Sequence, residues 1–122
     1  MLDKVSLKQK LGTFDATWVP KVVAELNDQY VKVVKIEGEY VWHHHAEEDE
    51  LFLVLDGEID IHLRDGVVHL APGELVVVPR GVEHKPVARR LAHVVLFEPR
   101  TVRNTGNVDH EYTIEADALE RI

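Results

Sequence analysis

Turn-forming pairs punctuate this chain at short intervals: Asn27-Asp28, Asp56-Gly57, Asp65-Gly66 and Pro72-Gly73. Between them lie β-rich runs at residues 22–26, 31–36, 41–45, 51–55, 59–63, 67–70, 75–78, 82–87 and 91–97. Asp56-Gly57 reads as a hairpin turn, and after it Ile59, Ile61 and Leu63 alternate with Asp60 and His62. Strands this short and this closely spaced cannot bury themselves singly. They close on one another as a sandwich or barrel, so the expected class is all-β. The run Leu51-Phe52-Leu53-Val54-Leu55 is apolar on both faces. It therefore lies between two sheets, or between one sheet and a partner subunit.

One helix is expected before the strands, over about residues 6–14. Ser6 is a good N-cap, Gln9 three residues on completes a capping box, and Leu7, Leu11 and Phe14 recur at helical spacing. The tail, residues 99–122, is looser: a polar loop over 100–107 and a terminal helical turn over 115–120. No repeat or linker divides the chain, and 122 residues suit a single domain with its own core.

The balance of 14 basic against 22 acidic residues gives a net charge of −8. That argues against nucleic acid or an anionic membrane as partner, since both need a basic face. The absence of cysteine excludes disulfides, thiolate nucleophiles and iron–sulfur chemistry. No apolar segment opens the chain and none approaches the roughly 20 residues of a spanning helix, so the expected location is the cytoplasm.

The chemistry is concentrated in the segment from His43-His44-His45 to Glu50. On a strand His43 and His45 share a face while His44 points away. Glu50 begins the next β-run, and His84 arrives from a third place in the chain. Three imidazoles and one carboxylate make a ligand set for a divalent transition metal, with two neighbouring positions left for water or substrate. Glu47, Glu48 and Asp49 are alternatives to Glu50 if the loop register shifts.

The spacing is Gly38, His43, His45, Glu50, Gly57 in one block and Gly73, Pro79, Gly81, His84 in a second. Together the blocks resemble the two signature motifs of the cupin superfamily over roughly residues 20–98. The likeness is greatest to small single-domain bacterial cupins often labelled mannose-6-phosphate isomerase-like. The resemblance implies a jelly-roll β-barrel and His43, His45, Glu50 and His84 as metal ligands. The metal would be iron, manganese, nickel, zinc or cobalt, since raw affinity does not choose among them. The chain departs from the family at Ala88, where cupins often carry Asn. The intact Glu50 sets it apart from the cupin-like thiol dioxygenases, which rely on three histidines. It brings the chain nearer to the quercetinase, acireductone dioxygenase and oxalate-metabolising branches.

Val41, Phe52 and Val54 share the parity of the ligands and are expected as apolar walls around the metal, with Ala88 adding space. Arg80, Lys85, Arg89 and Arg90 offer an anion-binding edge for a substrate carboxylate or phosphate, with a solvated loop as the plainer reading. Tyr40 and Trp42 share the parity of His44 and are expected to pack outward. His62, His69, His93 and His110 are expected to be structural or exposed. Three functions fit: a metal-dependent enzyme on a small oxygenated molecule (an oxygenase or a sugar-type isomerase), a non-catalytic metal-bearing ligand-binding module, or a barrel merely stapled by its metal. The partners expected are a small-molecule ligand and, from the apolar outward faces, a second copy of the chain in a homodimer.

Overall fold

The computed structural model describes residues 2–122, and its architecture is the all-β barrel that the turn spacing requires. A short helix α1 (Leu7–Leu11) precedes eight strands: β1 (Lys21–Leu26), β2 (Gln29–Glu39), β3 (Glu50–Asp56), β4 (Ile59–Leu63), β5 (Gly66–Leu70), β6 (Leu75–Val78), β7 (His84–Pro99) and β8 (Glu120–Arg121). Ser6 caps α1 by accepting from Gln9 N at 3.2 Å. The helix ends at Leu11, earlier than expected, with Gly12 as its C-cap.

The long strand β7 organises the barrel. One edge pairs with β2 along most of its length. The other pairs with β4 over residues 84–87 and with β3 over residues 93–97. Between those stretches the sheet bends, with register shifts at Ile36/Gly38 in β2 and Val54/Asp56 in β3. Bulges of this kind increase local twist and let one strand serve two parts of a rolled sheet. The two expected runs at 82–87 and 91–97 are thus one continuous strand, with Arg89 and Arg90 exposed at its centre. Gly57 turns β3 into β4 with φ +77, and a Cβ there would meet Leu91 O at 2.8 Å.

Alternation then sorts side chains into two apolar clusters. The barrel interior holds Val34, Ile36, Phe52, Val54, Ile59, Ile61, Leu70, Val78, Val94 and Leu96. The opposite faces of β2 and β7 contribute Val33 and Val95, joined by Val23 of β1 and Leu11 of α1, with half-buried Leu53 and Leu55 of β3 packed against them. This explains why residues 51–55 are apolar throughout.

Two departures concern the tail and the histidine segment. The expected helical turn at 115–120 is a 3₁₀ turn at Ala116–Ala118 followed by β8, which pairs in parallel with β1. The run 41–45 forms no strand; it contributes an isolated antiparallel bridge between His43 and His84. Among the described residues no helix is long and apolar enough to cross a membrane.

Candidate metal centre

Three pieces of backbone bring the ligands together. Glu50 is the first residue of β3 and His84 the first of β7. His43 and His84 exchange both backbone hydrogen bonds, at 3.1 and 2.9 Å, so the two histidines enter the barrel side by side. His45 is fixed by Gly81 N donating to its carbonyl at 2.8 Å. Between them the His44 peptide is gripped by the tail: its carbonyl accepts from Asn107 N at 3.1 Å, and its N–H donates to Asn107 Oδ1 at 2.9 Å. The tail therefore straps the histidine segment in place.

The donor atoms of His43, His45, Glu50 and His84 all lie within 4.8 Å of one another, and all four residues are buried. His43 Nδ1 donates to Val41 O and His84 Nδ1 donates to Val82 O, each at 2.9 Å. A carbonyl can only accept, so these bonds fix the tautomer and leave Nε2 of a neutral ring as a lone pair. His84 Nε2 nevertheless lies 3.2 Å from Glu50 Oε1, and His45 Nε2 lies 3.4 Å from the same oxygen. Among the described residues His45 Nε2 is buried without a hydrogen-bond partner. Lone pairs aimed at one carboxylate require a cation between them. A proton serves one pair at a time, whereas a metal ion serves all four, so the residues fit a metal.

The electrostatics suit that occupant. Burial, then the neighbouring His84, holds the His43 imidazole down to about 4, so it is neutral at pH 7 and able to ligate. Burial works against ionisation of Glu50, but the facing Glu98, His45 and His84 outweigh it and hold this carboxyl well below the usual range. Glu47 is exposed, Glu48 accepts from Thr101 Oγ1 at 2.7 Å, and Asp49 accepts from Arg80 N at 2.8 Å, so the three alternative acids face away from the cluster.

Beside the cluster is a small, largely apolar cavity of about 30 Å³, lined by His43, Glu50, Phe52, Trp18, Tyr40, Glu98 and Asn104 among others. Phe52 is the expected wall residue that reaches it. Val54 and Ala88 are buried in the adjoining core, and Val41 contributes its carbonyl to His43. Arg80 is exposed and pairs with Asp49, Lys85 pairs with Glu39 at 2.7 Å, and Arg89 and Arg90 face outward. These cations make no contact with the cluster. Trp42 packs outward as expected, under the Arg64 guanidinium at 3.8 Å.

Tyr40 overturns its expected outward placement. It lines the cavity, meets His43 edge-on at 5.4 Å and packs in a triangle of rings with Trp18 at 4.6 Å and Tyr112 at 5.8 Å, the latter two 6.3 Å apart. Parity counted back from His44 fails there because β2 ends at Glu39 after its bulge, and residues 40–42 are not strand. Trp18 adopts φ +63, a strained backbone for a bulky residue, and this sets its ring over the cavity. Trp18, Asn104 and Tyr112 lie outside any periodic run, so no sequence signal pointed to them. Lys32 and Glu98 did carry one: each is a charge in parity with buried apolar residues, Val34 and Ile36 on β2 and Val94 and Leu96 on β7.

Comparison with known proteins agrees with this geometry. The family described as Cupin domain matches residues 30–98. A cupin-2 domain containing protein from Shewanella frigidimarina NCIMB 400 is 44% identical, with a TM-score of 0.77 over 78% of this chain and 93% of that one. Protein NMB1881 from Neisseria meningitidis is 28% identical, with a TM-score of 0.74 over 80% and 99% of the two chains. YdbB of Bacillus subtilis (strain 168) is 39% identical over 64 residues, a match that spans 52% of this chain and 57% of that protein.

Proposed function

The chain belongs to the cupin family, and from that premise we propose that it binds a divalent transition metal through His43, His45, Glu50 and His84 and presents it to a small oxygenated molecule. The observation that carries this reading is the set of buried lone pairs converging on Glu50 with the tautomers of His43 and His84 already fixed by carbonyls. When bound, the metal would supply Lewis acidity toward a carbonyl, hydroxyl or carboxylate oxygen.

The protein's own groups do the rest. Val41 and Val82 carbonyls orient two of the imidazoles. Phe52, Trp18 and Tyr40 exclude bulk water from the cavity, and its narrowness restricts an occupant to a few atoms unless the aromatic stack shifts. Glu98, Tyr40 and Asn104 bring the polar atoms that would orient such a molecule. The cationic edge at Arg80 stands apart from the cavity, so a compact ligand suits the site better than a long phosphorylated sugar. This disfavours a sugar-phosphate isomerase and leaves an oxygenase or an isomerase of a small hydroxy-carbonyl compound.

The outer surface supports a homodimer. Leu75 and Val77, exposed by 54% and 48%, stand on β6, whose named pairing is with β3 alone. Half-buried Leu51 and Leu53 adjoin them, and an apolar edge of this kind invites a second copy.

The discriminating experiment is water-proton relaxivity of the Mn²⁺-loaded protein on addition of glycolate or oxalate. A fall shows an accessible metal that takes a bidentate oxygen ligand. No change at saturating ligand would leave the metal as a staple of the barrel. Oxygen consumption by the iron- or manganese-loaded protein with candidate hydroxy-carbonyl substrates then separates oxygenase from isomerase.

A further inference from the structure

A second groove lies on the outer wall of the barrel, between α1 and the outward faces of β2, β3 and β7. It spans about 570 Å³, against about 30 Å³ beside the histidines. Leu7 and Leu11 of α1 and Leu55 of β3 supply its apolar wall, and Lys8, Lys35, His93 and Asp56 supply its polar groups. Two registers order most of these. Lys35 of β2 is opposite His93 of β7, and His93 is opposite Asp56 of β3. The three form one row across adjacent strands, so two strand spacings, about 10 Å, part Lys35 from Asp56.

Lys35 is the unusual member of that row. The residue is only 8% exposed, and a buried ammonium needs a countercharge. The other buried lysines have one: Lys32 has Glu98 at 2.8 Å, and Lys21 has Glu120 at 3.2 Å. Among the described residues Lys35 pairs with no carboxylate. Its Nζ donates to the Phe14 carbonyl, with the Phe14 ring centre 5.1 Å away. A carbonyl and a ring face steady the ammonium but bring no net charge, and they leave N–H donors over. Asp56, the acid of the groove, is exposed at the far end of the row.

We propose that this groove binds a small carboxylate with an apolar tail, the carboxylate accepting from Lys35 and the tail lying along Leu7, Leu11 and Leu55. One buried ammonium matches one negative charge, and Asp56 repels a second placed further along, so the occupant is a monocarboxylate. His93 stands between the two and offers a ring N–H to the same carboxylate. A groove of this volume suits a small amphipathic ligand. It shares no residue with the metal cluster, so it stands independently of the metal reading.

The test titrates hexanoate and 1-hexanol into the full chain with Zn²⁺ added and reads amide chemical shifts by nuclear magnetic resonance. Hexanoate should saturate in the low millimolar range and shift the amides of residues 7–12, 35, 55 and 93. The alcohol keeps the tail and lacks the charge, so it should bind at least about tenfold more weakly. Lys35→Met keeps the apolar stem and removes the ammonium. Its circular dichroism should match the parent, and its hexanoate affinity should fall at least about tenfold, to that of the alcohol. Absence of a saturable response to hexanoate overturns the proposal, and so does equal affinity of the parent for the two probes. Shifts confined to residues 40–52 and 84 would place the carboxylate at the metal centre and overturn it as well. Lines from α1 that sharpen only on dilution, with no response to hexanoate, would assign the groove to a second copy of the chain, against the proposal. If Lys35→Met does not fold, the two probes compared on the parent decide alone.

Discussion

His84 Nε2 lies 3.2 Å from Glu50 Oε1 although thirty-four residues separate them along the chain. His84 Nδ1 is already committed to the Val82 carbonyl, so a neutral ring has no hydrogen left to place in that gap. The two atoms are held by different ladders: Glu50 opens β3 opposite Val78 of β6, and His84 opens β7 opposite Leu63 of β4. Strand pairing therefore imposes the juxtaposition, and a shared proton or a metal ion satisfies it.

Removing one ligand should separate metal binding from folding. His45→Ala and His84→Ala should each lose bound metal while keeping the fold, at a cost in metal-free stability of about 1–2 kcal/mol from the cavity left behind. The larger effect should be loss of the stabilisation that added metal gives the parent. Differential scanning fluorimetry with and without Mn²⁺ measures both; an undiminished metal-induced shift in either variant would remove that histidine from the ligand set.

The metal-free protein should weaken in mild acid. His43 has its pKa lowered from 6.5 to about 4, with burial the largest cause. Between those values the unfolded chain binds the proton and the folded one does not, so stability falls as pH falls from 6.5 toward 4 and levels off below. The contribution is on the order of 3 kcal/mol. Urea unfolding of chelator-treated protein at pH 7 and pH 4.5 measures it, and the His43→Gln variant should show a shallower slope over that range. An identical slope would assign the acid sensitivity elsewhere.

The motif histidines, Glu50 and the barrel class were legible because they depend on local spacing: parity along the segment and turn pairs between strands. Glu50 was preferred over Glu47, Glu48 and Asp49 as the start of an apolar strand, and the structure brings Glu50 alone of these acids into the cluster. The place of Tyr40 was hidden because parity does not survive the bulge at Gly38 and the end of β2. The buried Lys32–Glu98 ion pair was hidden for a different reason: each charge is at an inward position, but that the two meet depends on the register of β2 with β7, which the whole barrel sets. The tail escaped because Asn107 and Gly106 act on the His44 peptide through contacts that carry no periodic signal.

Gly106 should be intolerant of any side chain. Its φ is +57, and a Cβ would lie 2.1 Å from His44 O and 3.2 Å from His43 Cδ2. Gly106→Ala should cost about 1–3 kcal/mol and lift the strap from His44. Hydrogen exchange at the Asn107 amide should accelerate, and limited proteolysis should cut within residues 100–114. Unchanged protection would mean that the tail does not hold the histidine segment.

The β6 surface should mediate self-association. The parent should sediment near twice 13.9 kDa, and Leu75→Glu/Val77→Lys should sediment near one chain with its metal content unchanged. A parent mass near one chain would leave these side chains without a partner of this kind.

The most direct measurement is the metal content of untagged protein, paired with an anomalous difference map at the absorption edge of whichever metal is found. The account predicts about one divalent ion per chain, roughly 2.0–2.3 Å from the facing atoms of His43, His45, His84 and Glu50. Protein that stays metal-free after incubation with manganese, iron, nickel and zinc, or an ion bound away from these four side chains, would contradict it.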